Sequence, residues 1–140
     1  MLLRALKGYE SNDVNGMPFS LSLLVLPLCL HKVSREAINR GSRSYFAKIL
    51  DDNPPIRVGL AERANDLLPY TFEAMGYLMQ QDAIKVSDNG RLLMKPRSIK
   101  TTISGTEETR ACQRAAQTLG KKFATTADRV TIYVSLGLRP

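Results

Sequence analysis

Residues 17–32, Met-Pro-Phe-Ser-Leu-Ser-Leu-Leu-Val-Leu-Pro-Leu-Cys-Leu-His-Lys, decide how this chain is read. No ionisable side chain other than Cys29 precedes His31 and Lys32, and only Ser20 and Ser22 interrupt the apolar residues. A helix covering one core would show a polar face at helical spacing, and this stretch has none. It is therefore either enclosed on every side or membrane-spanning. A span needs about 20 apolar residues, and Pro27 sits inside a shorter run. The expectation is a buried helix at the centre of a soluble core, with Pro18 in its first turn. A secretory leader is the other reading of an early apolar run. Glu10, Asn12, Asp13 and Asn15 separate it from Arg4 and Lys7, and His31-Lys32-Val33 follows where a small-residue cleavage site would stand.

The rest of the composition fits that core. A chain of 140 residues, 44% hydrophobic and 24% charged, suits one globular domain and is not that of a disordered segment. Two cysteines, Cys29 and Cys112, are too few for a disulfide framework, so they are expected to be reduced core residues of a cytoplasmic protein. The formal charge of +7 is the one skewed quantity. It favours a polyanionic partner, nucleic acid first, and says nothing about fold.

Working outward, Met1–Glu10 has apolar residues at helical spacing, with Arg4 and Lys7 on the other side. Ser34 is placed to cap a short helix through Arg40, and Ser42 or Ser44 to cap one carrying Phe46, Ile49 and Leu50. Asp51-Asp52-Asn53-Pro54-Pro55 stops that helix. A further helix over Ile56–Leu68 is expected to break at Pro69, with a new one over Phe72–Gln81. Two short apolar runs, Ala83–Val86 and Arg91–Met94, flank Asp88-Asn89-Gly90 and predict a hairpin. Ser104-Gly105-Thr106-Glu107 has capping-box spacing before a helix that runs to about Phe123, with Cys112, Ala115, Ala116, Leu119 and Phe123 inward. Its outer face carries Arg110, Arg114, Gln117 and Lys121. The tail after Asp128 carries both a strand-like alternation and a helical pattern.

The predicted class is mainly α: a winged-helix-like helical domain with a small β-hairpin wing and a C-terminal helix. One domain over 1–140 is expected, with an N-terminal helical part at 1–41, a winged-helix core at 42–96, and a C-terminal helix and tail at 97–140.

Little in the sequence supports catalysis. The only histidine, His31, is expected to serve the end of the buried helix. One histidine and two distant cysteines make no recognisable zinc site, and neither a phosphate-binding nor a dinucleotide-binding glycine pattern is present. The expectation is no enzyme, no cofactor and no metal. Nucleic-acid binding is stronger, with an objection. The helix before a wing usually reads the major groove, yet Tyr70–Gln81 has no basic residue and carries Glu73. The positive charge falls at Lys32, Arg35, Arg40 and Arg43, and at Arg91, Lys95, Arg97 and Lys100. These are the candidate DNA contacts, suited to holding phosphates of duplex DNA without reading bases, and equally to a solvated surface. Tyr70, Tyr77, Tyr133 and Leu136 are the candidate partner contacts; aromatic residues at such spacing also build cores, and the sequence carries both readings.

A set of landmarks runs the length of the chain. They are Gly8-Tyr9, Gly16-Met17-Pro18-Phe19, Leu26-Pro27-Leu28-Cys29-Leu30-His31-Lys32, Ser34-Arg35-Glu36, Asn53-Pro54, Val58–Ala64, Leu68-Pro69-Tyr70-Thr71, Thr131-Ile132-Tyr133 and Leu136-Gly137-Leu138-Arg139-Pro140. With them the chain resembles the middle-component family of bacterial three-component ABC systems, which includes the small subunit of Lamassu-type antiphage defence. The resemblance implies additional residues ahead of the first helix, so the start here is expected to be short. The resemblance implies a non-catalytic accessory subunit that binds an SMC-like ABC ATPase, without a membrane. It would couple sensing of foreign DNA to an effector, often a nuclease. The alternative is a stand-alone winged-helix transcription regulator. No family catalytic residue transfers.

Overall fold

The computed structural model describes residues 1–126 and 128–139. Helix α1 (Leu2–Glu10) buries Leu2, Ala5, Leu6 and Tyr9, as the spacing predicts. Arg4, expected on the outer side, is buried as well. Its guanidinium donates to the carbonyls of Thr101 and Thr102 and to the Gln113 side chain, so the polar connection before the last long helix is tied down over α1.

The apolar stretch is enclosed as expected from Leu24 to Cys29, but it is not one helix. Met17–Pro18 forms a strand, β1, followed by two short helices, α2 (Phe19–Ser22) and α3 (Val25–Cys29). Pro27 explains the second start. It occupies the third position of α3, within the first turn, where a backbone N–H has no partner inside the helix. The enclosure stops short of the expected bounds, because Phe19 and Leu30 at the two ends of the stretch are exposed.

Helix α4 (Lys32–Arg40) starts after His31, and Ser34 lies inside it, fully buried, rather than capping it. Helix α5 (Phe46–Asp52) begins after Tyr45 without a side-chain cap, so neither Ser42 nor Ser44 plays that role. The acidic run and two prolines stop α5 as expected, and Pro54–Ile56 forms a single 3₁₀ turn.

The largest departure is α6, one continuous helix from Leu60 to Gln80 with Pro69 inside it. The proline removes the bond to the carbonyl of Asn65. Both residues are exposed, so water can serve that carbonyl, and buried Leu60 on one side and Thr71 and Met75 on the other hold the two halves in line. The hairpin follows as expected: β2 (Ile84–Val86) and β3 (Arg91–Met94) pair antiparallel, with Ile84 opposite Met94 and Gly90 in the left-handed region of the turn. Strand β1 adds a third member that the sequence reading missed, pairing Met17 with Leu92 in the order β1-β3-β2. A helix running into a hairpin whose inner strand is completed by an earlier strand is the winged-helix-like outline, in a mainly helical chain.

Helix α7 (Glu107–Thr125) buries the predicted face, and Thr106 rather than Ser104 caps it, accepting from the Thr109 N–H. The ambiguous tail resolves into helix α8 (Arg129–Ser135), capped by Asp128.

Helices α1 and α7 lie against each other so closely that no side chain fits at their crossing. A Cβ on Gly8 would overlap the Gln117 carbonyl oxygen, and one on Gly120 the Ala5 carbonyl oxygen. Helix α3 packs against both α7 and α6, and Phe46 of α5 meets Phe123 of α7 edge-on at 5.6 Å. Alanine normally stabilises a helix by about 1 kcal/mol over glycine. Here the overlap is with backbone, which cannot rotate aside, so Gly120→Ala is expected to lower the unfolding free energy by about 3 kcal/mol. Urea titration followed by circular dichroism measures this.

Candidate nucleic-acid and partner surfaces

A surplus of cations suggests a basic surface, but several of the arginines point inward. Arg35 is 6% exposed and donates to the carbonyls of Cys29 (3.2 Å) and Leu30 (3.1 Å), where α3 ends, and to Glu108 Oε1 (3.2 Å) at the start of α7. Arg57 donates to the carbonyls of Ser135 (2.8 Å) and Leu50 (3.1 Å), and Arg63 to those of Val58 (2.6 Å) and Ile56 (3.0 Å). Arg91, at the base of the wing, donates to the Gly16 carbonyl (2.8 Å) and to Asp13 Oδ2 (3.2 Å). With Arg4, five guanidinium groups serve as struts to main-chain carbonyls, which suits their planar array of donors.

Of the eight candidate DNA contacts, Arg35 and Arg91 are therefore engaged within the fold. Lys95 lies 3.1 Å from the exposed Asp82, a surface pair of little strength that leaves its charge available. Lys32, Arg40, Arg43, Arg97 and Lys100 are exposed. Lys32 shares a cleft with Glu36, Glu107 and Glu108, which offset its charge. Arg40 lies within 3.4 Å of the Asn53 side chain. Near Arg43 the fold brings in cations that were not among the candidates. Lys122 donates to the Ser42 carbonyl at 2.7 Å, and Arg114 and Lys121 line a cleft of ≈ 330 Å³ with Asn39 and Ser42. The signal was in the sequence: positions 110, 114 and 121 recur on one side of a helix.

The helix before the wing offers the opposite charge. Glu62, Asp66 and Glu73 are exposed along α6, and among the described residues none has an ion-pair partner. The only cation on that helix, Arg63, is turned to carbonyls. A phosphate backbone would be repelled along this helix. Tyr70 and Tyr77 of the same helix are each 61% exposed, open to a partner. Tyr133 and Leu136 are buried instead: the Tyr133 hydroxyl donates to the Ser20 carbonyl at 2.6 Å, and Leu136 is 1% exposed. On α8 it is Val130 and Val134 that face outward.

His31 precedes α4, its Nδ1 within 2.8 Å of the Ser34 hydroxyl. Burial, then the charges of Arg63 and Arg35, hold its pKa below the usual value, so the ring is neutral at pH 7. It therefore bonds at a helix start, not at the last carbonyls of the helix before. Burial pushes the Cys29 thiol up to about 12, which leaves it protonated and unreactive. Among the described residues no three His, Cys, Asp or Glu side chains are grouped as metal ligands, and no helix is long and apolar enough to cross a membrane. The exposed surfaces divide into cations around the wing connection and α7, and an acidic, aromatic α6.

Two outcomes follow. Arg35→Lys keeps the charge but loses the fork that spans two carbonyls and a carboxylate. It is expected to cost about 2 kcal/mol of stability, read from denaturant melts, with Arg35→Ala costing more. Charge reversal of Lys95, Arg97 and Lys100 together leaves the melt unchanged within about 0.5 kcal/mol. It is expected to weaken retention of duplex DNA and to flatten its salt dependence; equal retention at every salt concentration would make them ordinary surface.

Against known proteins, the model of one family matches over residues 1–140, the whole chain: ABC-three component (ABC-3C) system Middle Component 3. No curated protein and no solved structure matches. A helical chain with a wing, buried arginine struts and surfaces suited to binding thus belongs to the family of middle components of ABC-three component systems.

Proposed function

We propose that this chain is a non-catalytic accessory subunit that binds the SMC-like ABC ATPase of its system. In this reading it couples sensing of foreign DNA to an effector, a nuclease by preference, in defence against phage or plasmids of the Lamassu type. Family membership supports a place in a multi-component system. The observation that carries the reading further is the charge of α6. In a DNA-reading winged helix this element would lie in the major groove. Here its free charges are Glu62, Asp66 and Glu73, and its exposed rings are Tyr70, Phe72 and Tyr77. That composition suits a protein interface and opposes groove entry. DNA contact falls to the exposed cations at Arg97 and Lys100 and on α7, which grip phosphates without choosing a sequence.

The test is purification of the tagged chain from cells that express its native operon, with mass spectrometry of what accompanies it. The expected result is a large ATPase with coiled-coil sequence and a second, effector-like protein. A chain that purifies alone, or with DNA only, would overturn the subunit assignment and favour an independent regulator, which footprinting would then show as sequence-specific protection.

A further inference from the structure

Helix α6 has 21 residues and buries only Leu60, Thr71 and Met75. The rest of it lies open or half-open, and its open side is organised. At about 100° per residue, positions seven apart nearly coincide around the helix. Tyr70 and Tyr77 therefore make one edge, Phe72 and Met79 the other, and Pro69 and Gly76 run between them. The two edges are strongly exposed, at 61% for each tyrosine, 50% for Phe72 and 44% for Met79. Phe19 stacks beside Phe72 with ring centroids 6.2 Å apart and is itself 41% exposed, widening that edge.

Gly76 is the informative position. Glycine inside a helix is unfavourable against alanine, and folds accept it where a Cβ would collide. Gly8 and Gly120 have such a reason; a Cβ on Gly76 would meet nothing within 4 Å, and its φ is not in the left-handed region. Nothing in this chain calls for a glycine there. The gap it leaves between two apolar edges suits a second helix approaching from outside.

Charge selects the occupant. Glu62, Asp66 and Glu73 lie along this side over about three turns, without ion-pair partners among the described residues. A second copy of the chain would set these carboxylates against themselves, and nucleic acid would set phosphates against them. A helix bearing lysine or arginine beside an apolar stripe satisfies both the edges and the acids. We infer that the outer side of α6, centred on Gly76, is the docking surface for a basic amphipathic helix of the ABC ATPase component. This inference rests on the accessory-subunit reading above.

The experiment compares tagged wild type, Gly76→Gln and Glu73→Lys, each co-expressed with the co-encoded ATPase and purified over a salt series, alongside melts of each chain alone. Gly76→Gln is expected to melt at or above the wild-type temperature and to lower ATPase recovery roughly tenfold or more. Glu73→Lys is expected to fold normally, to recover less ATPase at low salt, and to lose part of the salt sensitivity. If wild type retains the ATPase and both variants retain it equally, this surface is not the interface, while the subunit assignment stands. If wild type itself brings down no ATPase, the assignment falls and the inference with it. Loss with Gly76→Gln but not with Glu73→Lys would overturn the basic character of the partner. A chain that is dimeric alone, and monomeric as Gly76→Gln, would make the occupant a second copy.

Discussion

The closest constraint in this molecule is the distance between two backbones. Gly8 and Gly120 let α1 and α7 approach until the space for a methyl group is taken by a carbonyl oxygen of the other helix. Ala5 and Ala116, both fully buried, keep the neighbouring turns equally thin. The rest is placed by that contact. Helix α3 packs on both members of the pair, β3 lies beside α1, and α4 lies along α7. Elements more than a hundred residues apart in sequence thus form the frame, and the short helices between them have no arrangement of their own to fall back on. Loop-closure entropy opposes such a frame, and dense packing at the crossing is what offsets it.

Short helices bring a second difficulty. A helix of five residues such as α3 leaves nearly all its carbonyls without partners inside the helix, and here those carbonyls are buried. Arginine answers this. Its guanidinium reaches the end of α3 from α4, the ends of α5 and α8 from the 3₁₀ turn, and the polar connection from α1. A lysine would bring one point charge to each place where two acceptors converge. The formal charge of +7 therefore overstates the basic surface, since part of it is structural.

This separates what the sequence revealed from what it hid. Burial of residues 24–29 was legible because an unbroken apolar run has one stable environment in water. The hairpin was legible because Asp88-Asn89-Gly90 fixes a turn between two apolar runs. Helical pattern gave the inner face of α7 down to Phe123. The division of residues 17–32 into a strand and two helices was not legible, since nothing polar marks a break inside a run that is apolar throughout. Pro69 misled because the cost of a proline depends on whether the orphaned carbonyl meets water, which is a tertiary fact. The inward turn of Arg4 and Arg35 depends on carbonyl positions distant in sequence, and periodicity cannot supply those. Tyr133 and Leu136 carried both a surface and a core reading, and the packing of α8 decides for the core.

The exposed acids and the exposed cations fall largely on different helices. The cations of α7, at Arg110, Arg114 and Lys121, follow one side of a helix whose opposite side is core. The acids of α6 follow one side of a helix whose other side carries buried Leu60, Thr71 and Met75 with Ala74 and Leu78 packed on the core, and a proline and an unforced glycine lie between its exposed rings. Inside a helix a proline costs about 3 kcal/mol and a glycine about 1 kcal/mol relative to alanine; water at the exposed Asn65 carbonyl eases the first, and at Gly76 a Cβ would meet nothing within 4 Å. A helix arranged for stability would contain neither, and it would bury more than three of its side chains. Sequences depart from local rules where another demand overrides stability. The departures in α6 are all on its outer side, where the proposed partner helix would dock, with a charge opposite to that of the phosphates that the exposed cations are proposed to hold.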